Sequence, residues 1–258
     1  MDTEVIILAQ GAHRRLGNHC GFRQLLPLPA CGHAPILSRT LRQLSESENG
    51  ALSTVTIVAQ SSLTQALFQI ARWPLYTVCV ELPEPGNSAL KGIARYLELR
   101  EAQGRRYPRT VVLLGDVVYS WACLEAIWKM AQTCGFVGTR DLSLDRGQLW
   151  GVSWARSYDG WMLPNLADAL LRHPPVDDEH VPGQLRRWVS GMKRGDLGNH
   201  VTHLRHRVPC GYIDIDDYTH DIDSPSDLVL LPELSALAAA DDAKRGSVWN
   251  QEANMKGA

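Results

Sequence analysis

Short apolar runs rich in β-branched residues alternate, over the first half of the chain, with segments whose apolar positions recur at helical spacing. Glu4 to Ala9 (EVIILA) is continuous and apolar and is bounded by Gly11, the pattern of a strand buried on both faces of a parallel sheet. Pro35 to Leu44 places Ile36, Leu37, Leu41 and Leu44 on one helical face, with Pro35 suited to the first turn. The alternation continues with a strand at Ser53 to Ala59, a helix around Ser62 to Ala71, a strand at Tyr76 to Leu82 and a helix at Ala89 to Gln103. Thr110 to Leu114 (TVVLL) is the next strand; it ends in Gly115-Asp116 and is followed by a helix from Ala122 to Cys134.

The second half is less regular. Phe136 to Thr139, Leu149 to Ala155 and Gly211 to Asp216 carry strand patterns, while Leu163 to His173 and Ser226 to Ala240 carry helical ones. The β-α-β rhythm predicts an α/β class protein: a single Rossmann-like three-layer domain, with a mostly parallel central sheet and a decorated C-terminal half. With no repeat and no low-complexity linker, one domain is expected over residues 1–240, and the small, polar segment 241–258 reads as a flexible tail.

Charge and cysteine usage narrow the class further. Lys and Arg number 26 against 28 Asp and Glu, so nothing draws the chain toward nucleic acid or an anionic membrane surface. No apolar run is long enough for a membrane-spanning helix, and Met1-Asp2-Thr3-Glu4 lacks the basic start of a secretory signal. The six cysteines are scattered without a C-x-x-C pair, which reads as reduced thiols in a cytoplasmic protein. A homodimer packed through the decorated C-terminal half is left open.

In parallel α/β sheets, ligands bind beyond the carboxyl ends of the strands, and three polar segments fall there. Gln10 to Gly17 (QGAHRRLG) follows the first strand directly. Its glycine lets backbone approach a phosphate that Arg14 and Arg15 can neutralise; the same residues also suit a basic surface loop. Asp116, at the end of a buried strand and after a glycine, can hold phosphate-bound Mg2+ or serve as a helix-capping or turn residue. Asp214, Asp216, Asp217, Asp221, Asp223 and Asp227 form an acidic cluster that invites a hard cation. Within it, Ser224 or Asp223 can cap a helix whose first turn holds Pro225 and whose dipole Asp227 complements, leaving Asp221 and Asp223 before the helix and available to a cleft. His200, His203 and His206 are spaced H-x-x-H-x-x-H, but their β-branched and basic neighbours favour an exposed strand or loop over a zinc site. Trp121, Leu124 and Trp128 have the spacing of helical core.

Taken in order, three motifs resemble the nucleotidyltransferase superfamily of sugar-phosphate pyrophosphorylase type, with its GT-A type fold. Leu8-Ala9-Gln10-Gly11-Ala12-His13-Arg14-Arg15-Leu16-Gly17 resembles the family's glycine-rich L-A-A-G-x-G-x-R loop. Phe22-Arg23-Gln24-Leu25-Leu26-Pro27 resembles P-K-x-L-L-P, and Asp221-Ile222-Asp223-Ser224-Pro225-Ser226-Asp227-Leu228 the closing D-x-D-T-P-E-D-L. His13 stands where the family has a second glycine, Gln10 where it has alanine, Phe22 where it has proline, and Arg23 where it has lysine.

The resemblance implies a nucleotidyltransferase that takes a nucleoside triphosphate and a phosphorylated small-molecule acceptor, by default a sugar 1-phosphate. It implies that Leu8, Ala9, Gln10, Gly11, Ala12, His13, Arg14 and Gly115 surround the nucleotide phosphates, and that Gly86, Asn87 and Ser88 line the base and ribose. Arg15 and Arg23 become the catalytic residues, and Asp116 with Asp223 or Asp221 the ligands of Mg2+. A glycosyltransferase using a nucleotide-sugar, or a nucleotide-binding protein without turnover, is the alternative.

Overall fold

A computed structural model describes residues 3–9, 22–47, 52–60, 63–66, 77–82, 89–130, 134–139, 148–172 and 210–246. Its centre is a seven-stranded sheet of order β10-β8-β9-β6-β1-β4-β5. The strands are β1 (Thr3–Ala9), β4 (Leu52–Gln60), β5 (Thr77–Leu82), β6 (Arg109–Leu114), β8 (Cys134–Gly138), β9 (Leu149–Ala155) and β10 (Cys210–Asp214). Neighbours run parallel except β9, which is antiparallel to both β6 and β8. All seven residues of β1 are buried, and side chains alternate across a strand, so both faces of the sheet are covered at its centre. That is the α/β class with a mainly parallel sheet.

Five helices surround the sheet among the described residues: α1 (Ile36–Glu46), α2 (Ala89–Ala102), α3 (Trp121–Lys129), α4 (Asp159–Arg172) and α5 (Pro225–Lys244). Residues 63–66 are helical as well, inside the helix expected around Ser62 to Ala71. Four two-residue strands form small ladders: β2 (Pro27–Leu28) pairs with β3 (Ala34–Pro35), and β7 (Val117–Val118) with β11 (His220–Asp221). In the five-residue β2–β3 connection a 3-10 turn over Pro29–Cys31 ends in Gly32 and His33, which take left-handed φ of 67° and 59°.

Several boundaries differ from the sequence pattern: α4 begins at Asp159 rather than Leu163 and β10 ends at Asp214 rather than Asp216, and two further differences have a visible cause. The helix expected to reach Cys134 stops at Lys129, and Cys134 opens β8 instead. Backbone pairing with β9 and β10 outweighs the helical spacing there, as tertiary context commonly does. The last helix runs past Ala240 to Lys244, because both aspartates at that point are anchored. Asp241 accepts from the Trp121 amide (2.9 Å) and the Tyr218 hydroxyl (2.6 Å). Asp242 is buried, accepting from Arg39 Nη2 (2.7 Å), Trp121 Nε1 (3.0 Å) and Arg42. Residues 247–258, the rest of the expected tail, lie outside the described residues.

The core divides in two. The larger cluster fills the sheet and includes Trp128, Trp150 and Trp154. The smaller joins Leu28, Ile36, Val118, Ile222, Leu234 and Ala238, clamping the β2–β3 hairpin, the β7–β11 ladder and α5 together. Two further bonds tie the hairpin to α5: the Ala30 amide donates to Ser235 Oγ (2.8 Å), and Cys31 Sγ donates to the Ser235 carbonyl (3.6 Å).

Candidate functional site

The site is built where β1 and β6 end side by side. Beyond Leu114 the Gly115 amide donates to the Leu8 carbonyl (2.8 Å), keeping the two strands in step for one more residue. A Cβ at Gly115 would lie 3.1 Å from that carbonyl oxygen and 3.2 Å from Ala9 Cα, tight contacts with backbone that favour glycine here. Asp116 follows with its side chain largely buried.

The β7–β11 ladder then brings the C-terminal acidic segment to Asp116. Asp221 pairs with Val117, and the Ile222 amide donates to the Asp116 carbonyl (3.1 Å), so two segments more than a hundred residues apart lie one hydrogen bond from each other. Asp221 is buried and its Oδ1 accepts from Gln148 Nε2. Gln148 has no motif signal in the sequence; it is brought in only because it immediately precedes β9. Asp223 is half-buried and stands at the entrance to α5.

Its place is fixed by a capping box. Asp227 Oδ2 accepts from the amides of Asp223 (3.1 Å) and Ser224 (2.7 Å), and Oδ1 lies 3.1 Å from His220 Nε2. Asp227 is thus a structural residue, as its place in the first turn of an apolar helix suggested. Asp217 is structural too, accepting from Ser120 Oγ and from the Thr219 amide (2.7 Å).

Arg23 completes the group. It lies in a single 3-10 turn, Arg23–Leu25, ahead of the hairpin. Its Nη2 is 3.1 Å from Asp116 Oδ2, and its Nη1 donates to the Ile222 carbonyl (3.3 Å). Its Nε is buried without a hydrogen-bond acceptor. Beneath this, Tyr119 is fully buried, its hydroxyl accepting from the Leu114 amide (2.8 Å) and donating to the Trp150 carbonyl (2.7 Å). Burial first, and the negative charges around it including Asp116 and Asp221, push its phenol well above the usual tyrosine range. It therefore acts as a neutral strut under the strand end.

Arg23, Asp116, Asp221 and Asp223 are thus gathered beside the ends of β1 and β6, next to Leu8, Ala9 and Gly115. Gln10, Gly11, Ala12, His13, Arg14 and Arg15, together with Gly86, Asn87 and Ser88, lie outside the described residues, as do the three spaced histidines. Among the described residues no group of three or more His, Cys, Asp or Glu forms a metal cluster, and no helix is long and apolar enough to cross a membrane. Asp116 nonetheless holds a cation, the Arg23 guanidinium, and a second carboxylate-bearing strand adjoins it; two hard oxygen donors suit a divalent ion that keeps waters and phosphate oxygens as its other ligands.

No family profile matches the sequence, and no curated protein matches it. Solved structures do. A Bacillus anthracis protein assigned as a glucose-1-phosphate thymidylyltransferase aligns over 91% of this chain and 95% of its own, at 13% identity and a TM-score of 0.57. The CTP:phosphocholine cytidylyltransferase of Streptococcus pneumoniae aligns over 91% and 99%, at 12% identity and a TM-score of 0.54. The Rv0371c protein of Mycobacterium tuberculosis, in complex with manganese, aligns over 90% and 98%, at 18% identity and a TM-score of 0.53. The chain therefore shares the Rossmann-like fold of these three structures, two of which are described as nucleotidyltransferases.

Proposed function

We propose that the protein is a nucleotidyltransferase that moves a nucleoside monophosphate from a nucleoside triphosphate to a phosphorylated small molecule, with a sugar 1-phosphate the default acceptor, and that it uses Mg2+. The observation that carries this reading is the Arg23–Asp116 pair beside Asp221, at the carboxyl ends of β1 and β6. An acceptor phosphate oxygen attacks the α-phosphorus in line, a new P–O bond forms, the bond to the β-phosphate oxygen breaks, and pyrophosphate leaves. Such a reaction needs alignment and charge neutralisation rather than a protein nucleophile.

Each segment then has a task. Backbone around Gly11, entered directly from Ala9, cradles the triphosphate, with His13 and Arg14 nearby. Arg15 neutralises charge on the departing pyrophosphate, and Arg23 meets the acceptor phosphate. Gly86, Asn87 and Ser88 line the base and ribose. Asp116, with Asp223 or Asp221, holds the divalent cation, which when bound withdraws charge from the phosphate oxygens.

The test is pyrophosphate release from each of ATP, GTP, CTP, UTP and dTTP with Mg2+, against a panel of phosphorylated sugars and alcohols. One triphosphate and one acceptor class are expected to give pyrophosphate and a nucleotide-linked product in equal amounts. Asp116→Asn, which keeps the side chain's size, is expected to lower turnover about 100-fold. Absence of turnover with every triphosphate, alongside transfer from a finished nucleotide-sugar, would overturn the reading in favour of a glycosyltransferase.

A further inference from the structure

We infer that Arg23 is a built-in counter-cation of Asp116, and that a divalent ion and Arg23 compete for that carboxylate, so that metal binding releases the guanidinium toward the phosphates. This rests on the proposal that Asp116 is a metal ligand. Arg23 and Asp116 are both nearly nine-tenths buried (side-chain exposures of 11% and 13%), so their 3.1 Å contact is shielded from water and salt. The guanidinium also reaches the Ile222 carbonyl at 3.3 Å, bridging Asp116 to the strand that carries Asp221. A lysine presents one point charge, whereas the planar fork of arginine can span a carboxylate and a carbonyl at once. Arg23 therefore places a cation across the mouth of the proposed metal site.

The contact is also incomplete. Arg23 Nε is buried with no acceptor, which leaves a donor unsatisfied in this arrangement. A phosphate oxygen would satisfy it, and the swing away from Asp116 that this needs vacates the carboxylate for the ion. Two cations on one shielded carboxylate repel each other, so simultaneous occupancy is disfavoured.

The experiment measures Mn2+ binding, without nucleotide, to the full chain by electron paramagnetic resonance. Arg23→Gln is expected to bind Mn2+ about tenfold more tightly than the wild type, and Asp116→Asn to weaken binding about tenfold in both backgrounds. If Asp116→Asn weakens binding while Arg23→Gln leaves it unchanged or weaker, the metal assignment stands and the competition is overturned. If Asp116→Asn has no effect, the metal assignment itself fails and the competition with it. A readout on the wild type guards against misfolded variants: Mg2+ titration should shift the 15N resonance of Arg23 Nε, assigned by its loss in Arg23→Lys, along the same saturation curve. A resonance that stays fixed while metal binds would also overturn the competition.

Discussion

The Gly115 amide donates to the Leu8 carbonyl at 2.8 Å, and a β-carbon at Gly115 would crowd that same oxygen at 3.1 Å. Leu8 is one residue from the end of β1 and Gly115 one residue before Asp116, so this bond sets the distance between the expected phosphate loop and the expected metal ligand. Gly115→Ala presses on backbone atoms, which cannot rotate away as a side-chain tip can. The expected cost is about 1–3 kcal/mol of stability, read by denaturant unfolding. Turnover should fall further than the fraction folded accounts for.

The sheet was legible in the sequence because its central strands are buried on both faces. Continuous runs such as EVIILA and TVVLL need no partner to be recognised, and β9 was found at its full extent from Leu149 to Ala155. What sequence could not supply was direction and pairing. Nothing in LWGVSWA says that it runs antiparallel between β6 and β8, and a helical stripe over Ala122 to Cys134 concealed the start of β8. The site was legible as Asp116 and an acidic cluster, but local pattern did not separate the cluster's members. Asp217 and Asp227 turn out to hold backbone amides, while Gln148, which carries no motif, holds Asp221.

Another buried ion pair is anchored in the same strand as Leu8. Glu4 is fully buried on β1, accepting from Arg100 Nη1 on α2 at 2.9 Å and from the Tyr96 hydroxyl. Removing one partner leaves the other as an uncompensated buried charge. Arg100→Met is therefore expected to destabilise by about 3–5 kcal/mol, and the double variant Glu4→Leu/Arg100→Met by less than that single one. Urea unfolding of the two single variants and the double variant checks the coupling. Simple additivity would mean that the pair is not desolvated in the folded protein.

Cys31 provides a pH prediction away from the site. Burial raises its thiol above the ordinary cysteine range, opposed by Arg39 and Arg42 and reinforced by Asp242. Only the thiolate reacts with iodoacetamide, so alkylation of Cys31 in the folded protein should be slower at pH 7.5 than that of a free thiol. Its rate should still be climbing at pH 9, where an ordinary thiol is already largely ionised. Peptide-resolved mass spectrometry at timed quenches measures this residue separately from the other five. A rate that levels off below pH 9 would contradict the burial argument.

The capping box bears on which carboxylate would join Asp116 in holding the proposed cation. Asp221 is buried in the β7–β11 ladder with Gln148 donating to it, whereas Asp223 is half-buried and held through its amide by Asp227. A metal ligand must exchange its hydration for the ion, and the less enclosed carboxylate meets an ion and its waters without disturbing the β7–β11 ladder, so Asp223 is expected to be the second ligand. Asp223→Asn should then weaken Mn2+ binding about tenfold, and Asp227→Asn, which touches no metal, should weaken it by a smaller factor through the loosened amide. Asp227→Asn also removes a negative charge from the N-terminus of α5, which should cost about 1–2 kcal/mol of stability. If Asp221→Asn alone weakens Mn2+ binding, with Asp223→Asn silent, the ladder strand supplies the ligand and the cap serves the helix only.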